Sequence, residues 1–212
     1  GLMIIFLFVA IAYMKNVTAE KERMRQVAVA WTQTQDQLYE DLQREFRHDL
    51  PRWRATIDRT TLSVRFQEPS VFFQAGSSQL PERFRQILDD FFPRYMKILR
   101  RYRGQIAEVR IEGHTSSEWN GSTDPMTAYF RNMELSQNRT RAVLEYCMDL
   151  PAVRGDRTWA LKTLTANGLS SSRPISGPGG REDRDLCRRV EFRVRTDAER
   201  RIVTILAEGG SR

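Results

Sequence analysis

The chain has 212 residues, of which 34 are basic and 27 are acidic, giving a net charge of +7. Hydrophobic residues make up 40% of the chain and charged residues 29%. This composition excludes a disordered tail, a collagen-like repeat and a protein with many membrane spans. The length predicts about one to one and a half domains.

The first segment of the chain, residues 1–14, carries no charge and is almost entirely apolar. A helix that spans a bilayer needs about 20 apolar residues. Because the chain begins with Gly rather than Met, we expect further residues upstream. We therefore predict a transmembrane anchor over residues 1–19. A cleaved signal peptide is the alternative, since Val17-Thr18-Ala19 resembles a cleavage site, whereas the polar sequence after it argues against a buried helix.

Residues 20–51 predict a helical stalk, because no Gly or Pro interrupts them before Pro51. Apolar and small side chains recur there in alternating steps of three and four, which is coiled-coil spacing. They are Met24, Val27, Trp31, Thr34 and Leu38. Two interpretations are open: the stalk pairs with a second copy in a homodimer, or it packs on its own domain.

The remaining sequence predicts a domain over residues 52–198, followed by a tail over residues 199–212 with a short helix from 198 to 207. Alternation of polar and apolar residues predicts strands at 61–66, 106–113, 159–166 and 190–194. Helical spacing predicts helices at 82–102 and 137–149. We expect Pro93 to kink or split the first and Ser136 to cap the second. The order predicts an α+β or α/β class, with one mixed β-sheet and helices on one face.

Two polar segments predict loops, residues 114–131 with Asn120-Gly121 and Asp124-Pro125, and residues 170–185, rich in Ser, Gly and Pro. The basic end of the first helix does not predict a nucleic-acid partner. Lys and Arg suit a helix C-terminus, and a domain behind a membrane anchor is expected outside the cytosol.

Four separated motifs resemble the OmpA-like peptidoglycan-binding domain over roughly residues 55–196. They are Ile111-Glu112-Gly113-His114-Thr115, Asn132-Met133-Glu134-Leu135-Ser136-Gln137-Asn138-Arg139, Ala142-Val143 and Arg188-Arg189-Val190-Glu191-Phe192. The second motif, together with the segment from Phe73 to Leu80, is similar to the MotB branch, the stator subunits of flagellar motors. The apolar anchor in front of such a domain resembles the MotB-like component of Zorya anti-phage defence systems.

This resemblance implies a single-pass protein of the bacterial inner membrane, with its C-terminal domain in the periplasm and bound to peptidoglycan. It implies a homodimer inside a ring formed by a multi-span MotA-like partner. It also implies ion transport through an Asp in the membrane span, which would lie upstream of Gly1. A flagellar-type stator, or a static envelope tether without ion transport, is the alternative. The resemblance implies no cofactor.

The resemblance also implies a ligand, the carboxylate of diaminopimelate in a peptidoglycan stem peptide, and four residues that bind it. Ser136 would leave free backbone N–H groups at a helix start, where an anion is favoured. Arg139 would pair bidentately with the carboxylate from the first turn. Asn132 would hydrogen-bond the ligand or hold the loop, and Leu135 would be a packing contact.

One position departs from the family pattern. An acidic residue usually follows His-Thr and grips the ammonium group of the ligand, but this chain has Ser116 there. Glu118 and Asp124 are the nearby carboxylates that could replace it. The departure predicts weak wall affinity, or affinity for a different stem.

The remaining reactive residues predict no catalytic constellation and no metal site, so we do not expect an enzyme. His114 is interpreted as a structural turn residue. Cys147 and Cys187 would either form a disulfide in an oxidising compartment or remain two buried free thiols. A disulfide would close a loop of about 40 residues. By lowering the entropy of the unfolded chain, it would stabilise the folded state by roughly 3–4 kcal/mol.

Overall fold

A computed structural model describes residues 2–67, 73–74, 76–121 and 123–197 of the chain. The predicted tail over residues 199–212 and its short helix lie outside the described residues.

The first helix, α1, runs without a break from Leu2 to Phe46. At about 1.5 Å per residue its 45 residues extend roughly 68 Å. Its most apolar stretch has a mean hydropathy of 1.9 and none of it is buried against the rest of the chain. This exposure agrees with the predicted anchor and does not fit the helix of a soluble core.

The C-terminal end of α1 belongs to the packed domain. Leu38, Leu42 and Phe46 are completely buried in its core. The Arg94 guanidinium fixes the same end by ion pairs to Glu45 at 2.7 Å and to Asp49 at 2.9 Å. Packing on its own domain therefore holds for the end of the predicted stalk.

Among the described residues, five shorter helices come after α1: α2 (Leu50–Trp53), α3 (Glu82–Arg101), α4 (Pro125–Asp149), α5 (Arg157–Thr163) and α6 (Arg184–Cys187). A 3₁₀ turn at Pro151–Asp156 joins α4 to α5, and a second lies at Pro178–Gly180. The strands are β1 (Ala55–Asp58), β2 (Ser63–Gln67), β3 (Ile106–His114), β4 (Leu164–Gly168) and β5 (Arg189–Thr196).

The five strands form one mixed sheet in the order β1-β2-β5-β3-β4, with β3 and β4 parallel and the other pairs antiparallel. Phe66, Phe192 and Ile111 share the face that packs under the helices, where Phe91 of α3 meets Phe66 and Phe192 at ring distances of 5.1 Å. The other face carries charged side chains such as Glu191. The predicted α+β class, a mixed sheet with helices on one face, is confirmed.

Two element predictions need correction, and one of the two alternatives for Pro93 is excluded. The hairpin strand β1 was missed, because Ala55–Asp58 contains a single large apolar residue, Ile57. The predicted strand 159–166 is the helix α5 followed by β4. Ala160 and Thr163 are both buried at a spacing of three, which suits a helix facing the core. The helix α3 runs through Pro93 without splitting.

The most consequential correction concerns the start of α4. Helix α4 begins at Pro125, inside the predicted loop, and not near Ser136. The Asp124 side chain accepts hydrogen bonds from the backbone N–H groups of Met126 and Thr127. Asp124 is therefore the N-cap and Pro125 the first helical residue, which places Ser136 in the middle of the helix.

Candidate functional site

A cavity of about 410 Å³ opens between α4 and the segment after β3. Three of the four predicted site residues line it: Asn132, Leu135 and Arg139. They share one face of α4 because they follow each other at steps of three and four. The opposite wall is the segment 115–120, which we call the rim loop.

Arg139 is the buried cation of this cavity, with only 7% of its surface exposed. Its Nε donates to the carbonyl of Ser77 at 2.9 Å and one Nη to the carbonyl of Gln74 at 3.1 Å. Its guanidinium also lies 4.9 Å from the ring centre of Phe73. These contacts leave further N–H groups of the guanidinium for a ligand.

Within the described part of the chain, no carboxylate lies within ion-pairing distance of Arg139. Burial lowers the pKa of Arg139 to about 10, and the positive charge of Arg188 adds to this shift. The group is still charged at neutral pH. A buried guanidinium without a counter-charge is costly, so the cavity favours an anionic ligand.

Asn132 holds the rim loop. Its Nδ2 donates to the carbonyls of Ser116 and Glu118, at 3.2 and 3.1 Å. Two roles were predicted for Asn132, contact with the ligand and support of the loop. These hydrogen bonds show the second role, support of the loop.

Ser136 does not line the cavity, and the prediction of free N–H groups at a helix start beside it was wrong, because α4 begins eleven residues earlier at Pro125. Its hydroxyl donates to the carbonyl of Met133 and accepts from the backbone N–H of Ser170. Ser136 marks the point where α4 crosses the sheet edge at Gly113 and Gly168.

Two paired glycines make that crossing possible. A Cβ on Gly168 would lie 2.3 Å from the backbone nitrogen of Gln137, and one on Gly113 would lie 2.9 Å from the carbonyl oxygen of Ser136. Both distances are shorter than van der Waals contact, so only glycine allows α4 this close to β3 and β4. The close approach sets the position of Arg139 one turn further on.

The structure distinguishes the two carboxylates considered as replacements for the acidic residue missing at Ser116. Asp124 is used as the N-cap of α4 and does not line the cavity. Glu118 lies in the cavity wall, where its carboxylate pairs with Arg184 at 2.5 Å. Of these two carboxylates, Glu118 is therefore the one that lies beside a ligand in this cavity.

His114 is the last residue of β3 and not a turn residue as predicted. It is buried, and neither ring nitrogen has a hydrogen-bond partner among the described residues. Its Nε2 lies 3.8 Å from Glu112 and 3.9 Å from Glu191. Desolvation lowers the pKa of His114 to about 3, and the charge of Arg189 adds to it.

Glu112, His114 and Glu191 lie close enough together to resemble a metal-binding triad. Sequence spacing could not show this, because Glu191 meets Glu112 only through the pairing of β5 with β3. Four guanidinium groups already face the two carboxylates, which argues against an additional cation. They belong to Arg65, Arg173, Arg189 and Arg193.

The two cysteines are free thiols in the structure, and the possible disulfide is not formed. Cys147 faces the hydrophobic core from α4. Cys187 ends α6 and accepts a hydrogen bond from the backbone N–H of Ile175. Burial raises the pKa of both thiols.

The cavity lies in the part of the chain with known relatives. The model of the OmpA family matches residues 72–187. The chain is also 50% identical over 208 residues to the Zorya protein ZorB of Escherichia coli strain Crooks, covering 98% of this chain and 88% of that protein. The chain belongs to the OmpA family, as a homologue of ZorB.

Two solved structures share the fold. A putative MotB-like protein from Desulfovibrio vulgaris superposes with a TM-score of 0.54 at 24% identity, over 81% of this chain and 94% of that one. The cell wall anchor of the type VI secretion system from Pseudomonas aeruginosa gives a TM-score of 0.50 at 23% identity, over 73% of this chain and 96% of that one. At these identities the likeness concerns the fold alone.

Proposed function

We propose that this OmpA-family protein is a MotB-like stator subunit of an ion-driven inner-membrane complex, acting in Zorya-type anti-phage defence and anchored to peptidoglycan. The observation that carries the anchoring role is the buried Arg139 guanidinium, which opens on a cavity and has no carboxylate partner among the described residues. A stem-peptide carboxylate is the counter-charge that such a site can take from the cell wall.

The shape of α1 supports a role in which the wall site and the membrane are mechanically joined. One continuous helix carries the exposed apolar segment at one end and core residues at the other. Residues 15–37 between them extend about 35 Å. In this arrangement the domain stands outside the inner membrane, in the periplasm, and force applied at the wall reaches the span through a rigid element.

The proposed assembly contains two copies of this chain inside a ring of a multi-span, MotA-like partner. The transported ion would bind an Asp in the span, upstream of Gly1. In this proposal the chain acts by binding and not by catalysis.

A static envelope tether and a flagellar-type stator are the alternatives. The 50% identity to a Zorya protein over nearly the whole chain favours the defence role over the flagellar one. An Asp within a turn or two before Gly1 distinguishes a stator from a tether, and sequencing the upstream region decides this point.

The wall-binding role predicts that the full chain, solubilised in detergent, sediments with purified insoluble peptidoglycan. Binding at the Arg139 cavity should be saturable. Added soluble muropeptides should then compete with the insoluble peptidoglycan and release the protein to the supernatant. A chain that stays in the supernatant when it is folded would contradict the proposal.

The proposed homodimer predicts that one face of the exposed part of α1 contacts the same face of the second copy. Leu38 lies in the core of its own domain and Trp31 lies beside Leu62 and Val194 of that domain, so the proposed interface is centred on Met24 and Val27. We expect a Val27→Cys variant to form a disulfide-linked dimer in intact cells, because residue 27 would face its copy in the oxidising periplasm.

Val29→Cys is the matched control, since residue 29 lies on the opposite side of the helix from this seam and Val29 is half exposed. Non-reducing gel electrophoresis of membranes measures the result. Equal dimer bands at both positions, or none at residue 27, would contradict the proposed pairing.

A further inference from the structure

The rim loop carries a tryptophan whose indole makes none of the ring, guanidinium or hydrogen-bond contacts described for other tryptophans of the chain. Trp119 is half-buried and forms part of the cavity wall opposite Arg139. Trp53 packs against Phe46, and Trp159 lies under the guanidinium of Arg103. Among the residues that the structure describes, the Trp119 indole contacts no other ring or guanidinium and makes no hydrogen bond.

The backbone that carries Trp119 is nevertheless held firmly. Asn132 fixes the carbonyls of the two neighbouring positions 116 and 118. The backbone N–H of Ser117 donates to Glu182 at 2.8 Å, and Glu118 pairs with Arg184. The backbone of the rim loop is thus ordered at the cavity before a ligand arrives, which reduces the entropy lost on binding.

The cavity is larger than a carboxylate needs. Its volume of about 410 Å³ is in the range of sites that enclose small organic ligands. Arg139 and Arg188 are its cationic groups, while Trp119 and the amide of Asn120 form a less charged wall. The lining therefore suits both an anion and a neutral group with an apolar face and a polar edge.

We propose that Trp119 is a sugar-binding platform. It stacks against a pyranose ring of the glycan strand whose stem peptide places its carboxylate at Arg139. The apolar C–H face of a sugar ring fits the electron-rich face of an indole, and the Asn120 amide can hydrogen-bond the polar edge of the ring. This inference rests on the proposed wall-binding function and adds the glycan as a second recognised part of the ligand.

The test uses the detergent-solubilised full chain and two soluble probes. One is a disaccharide muropeptide, and the other is the same stem peptide without sugar. We expect Trp119→Ala to weaken muropeptide binding about tenfold, the scale of a tryptophan anchor, and to leave binding of the free peptide unchanged. Trp119→Phe should restore most of the affinity. Arg139→Ala should weaken the binding of both probes.

Tryptophan fluorescence supplies a second readout. Muropeptide should shift the emission of the wild type and of a Trp159→Phe control, but not that of Trp119→Phe. If Trp119→Ala loses affinity equally for the muropeptide and for the free peptide, the ring contacts the peptide or only shapes the loop, and the proposal is overturned. Unchanged muropeptide affinity would also overturn it. A wild type that binds neither probe would instead refute wall binding itself, and the sugar platform with it.

Discussion

Replacing Arg139 with alanine should reduce peptidoglycan binding about ten- to a hundred-fold. Hydrogen bonds to charged groups are worth roughly 1.5–3 kcal/mol, and about 1.4 kcal/mol corresponds to a factor of ten. The guanidinium faces the cavity without a carboxylate partner in the described residues, so the ligand would supply its only counter-charge. Sedimentation with purified peptidoglycan over a range of protein concentrations measures the change.

The same variant will also lose stability, because Arg139 is not the exposed first-turn residue that the sequence predicted. It is buried in the middle of α4, and its side chain holds the carbonyls of Gln74 and Ser77. Leaving those carbonyls without donors costs about 1–3 kcal/mol. Binding must therefore be compared at a temperature at which circular dichroism shows each variant to be folded.

Two further variants separate charge from geometry. Arg141→Ala removes an exposed arginine of the same helix that pairs with Glu145, so this variant should bind like the wild type. Arg139→Lys keeps the charge, but a single ammonium cannot hold both carbonyls and a bidentate ligand, so it should bind weakly. If folded Arg139→Ala sediments as well as Arg141→Ala does, the site is wrong.

The sequence predicted Arg139 as the anion-binding residue but not how it is held. Arg139, Asn132 and Leu135 could be found because a short motif on one helix carries them. The partners of Arg139 in the structure lie 62 and 65 residues earlier in the chain. No local pattern shows which backbone carbonyls a buried arginine will meet, because tertiary packing decides this.

The start of α4 is encoded by neighbouring residues, but the sequence pattern predicted a loop there. Asp124-Pro125 is a typical turn dipeptide, but Asp as N-cap followed by Pro at the first helical position is equally a helix start. The residues after Pro125 distinguish the two interpretations, because the buried Ala128 continues the helical face towards Asn132. Recognising this helix start would have excluded Ser136 as a cap.

The charged cluster around His114 could not be predicted at all. It depends on β5 lying between β2 and β3, and on the register that places Glu191 opposite Glu112 and Arg189 opposite His114. A sequence of alternating strands predicts a sheet without giving the order of its strands. The surroundings that lower the pKa of His114 are therefore visible only in the structure.

Acidification should destabilise the domain through His114. The folded state holds this imidazole neutral, with its pKa lowered to about 3 by desolvation and by Arg189, whereas in the unfolded chain its pKa is about 6.5. Below pH 6.5 the unfolded state therefore binds more protons than the folded state, and the contribution to stability is lost progressively as the pH falls towards 3.

The expected size of this effect can be calculated from the linkage between protonation and folding. Each pH unit in that window costs about 1.4 kcal/mol, so lowering the pH from 7.5 to 5.0 should reduce the free energy of unfolding by about 2 kcal/mol. Glu191 adds to the loss only under stronger acid. Burial opposes its ionisation, but the hydrogen bond and charge of Arg189 prevail and lower its pKa to about 2.

Two histidine variants test the assignment by urea unfolding at pH 7.5 and pH 5.0. His114→Leu replaces a buried ring that has no hydrogen-bond partner among the described residues by an apolar side chain, which can be close to neutral for stability. It should remove most of the difference between the two pH values. His48→Leu changes an exposed histidine and should retain the wild-type difference. If His114→Leu loses as much stability at pH 5.0 as the wild type, another group carries the acid sensitivity.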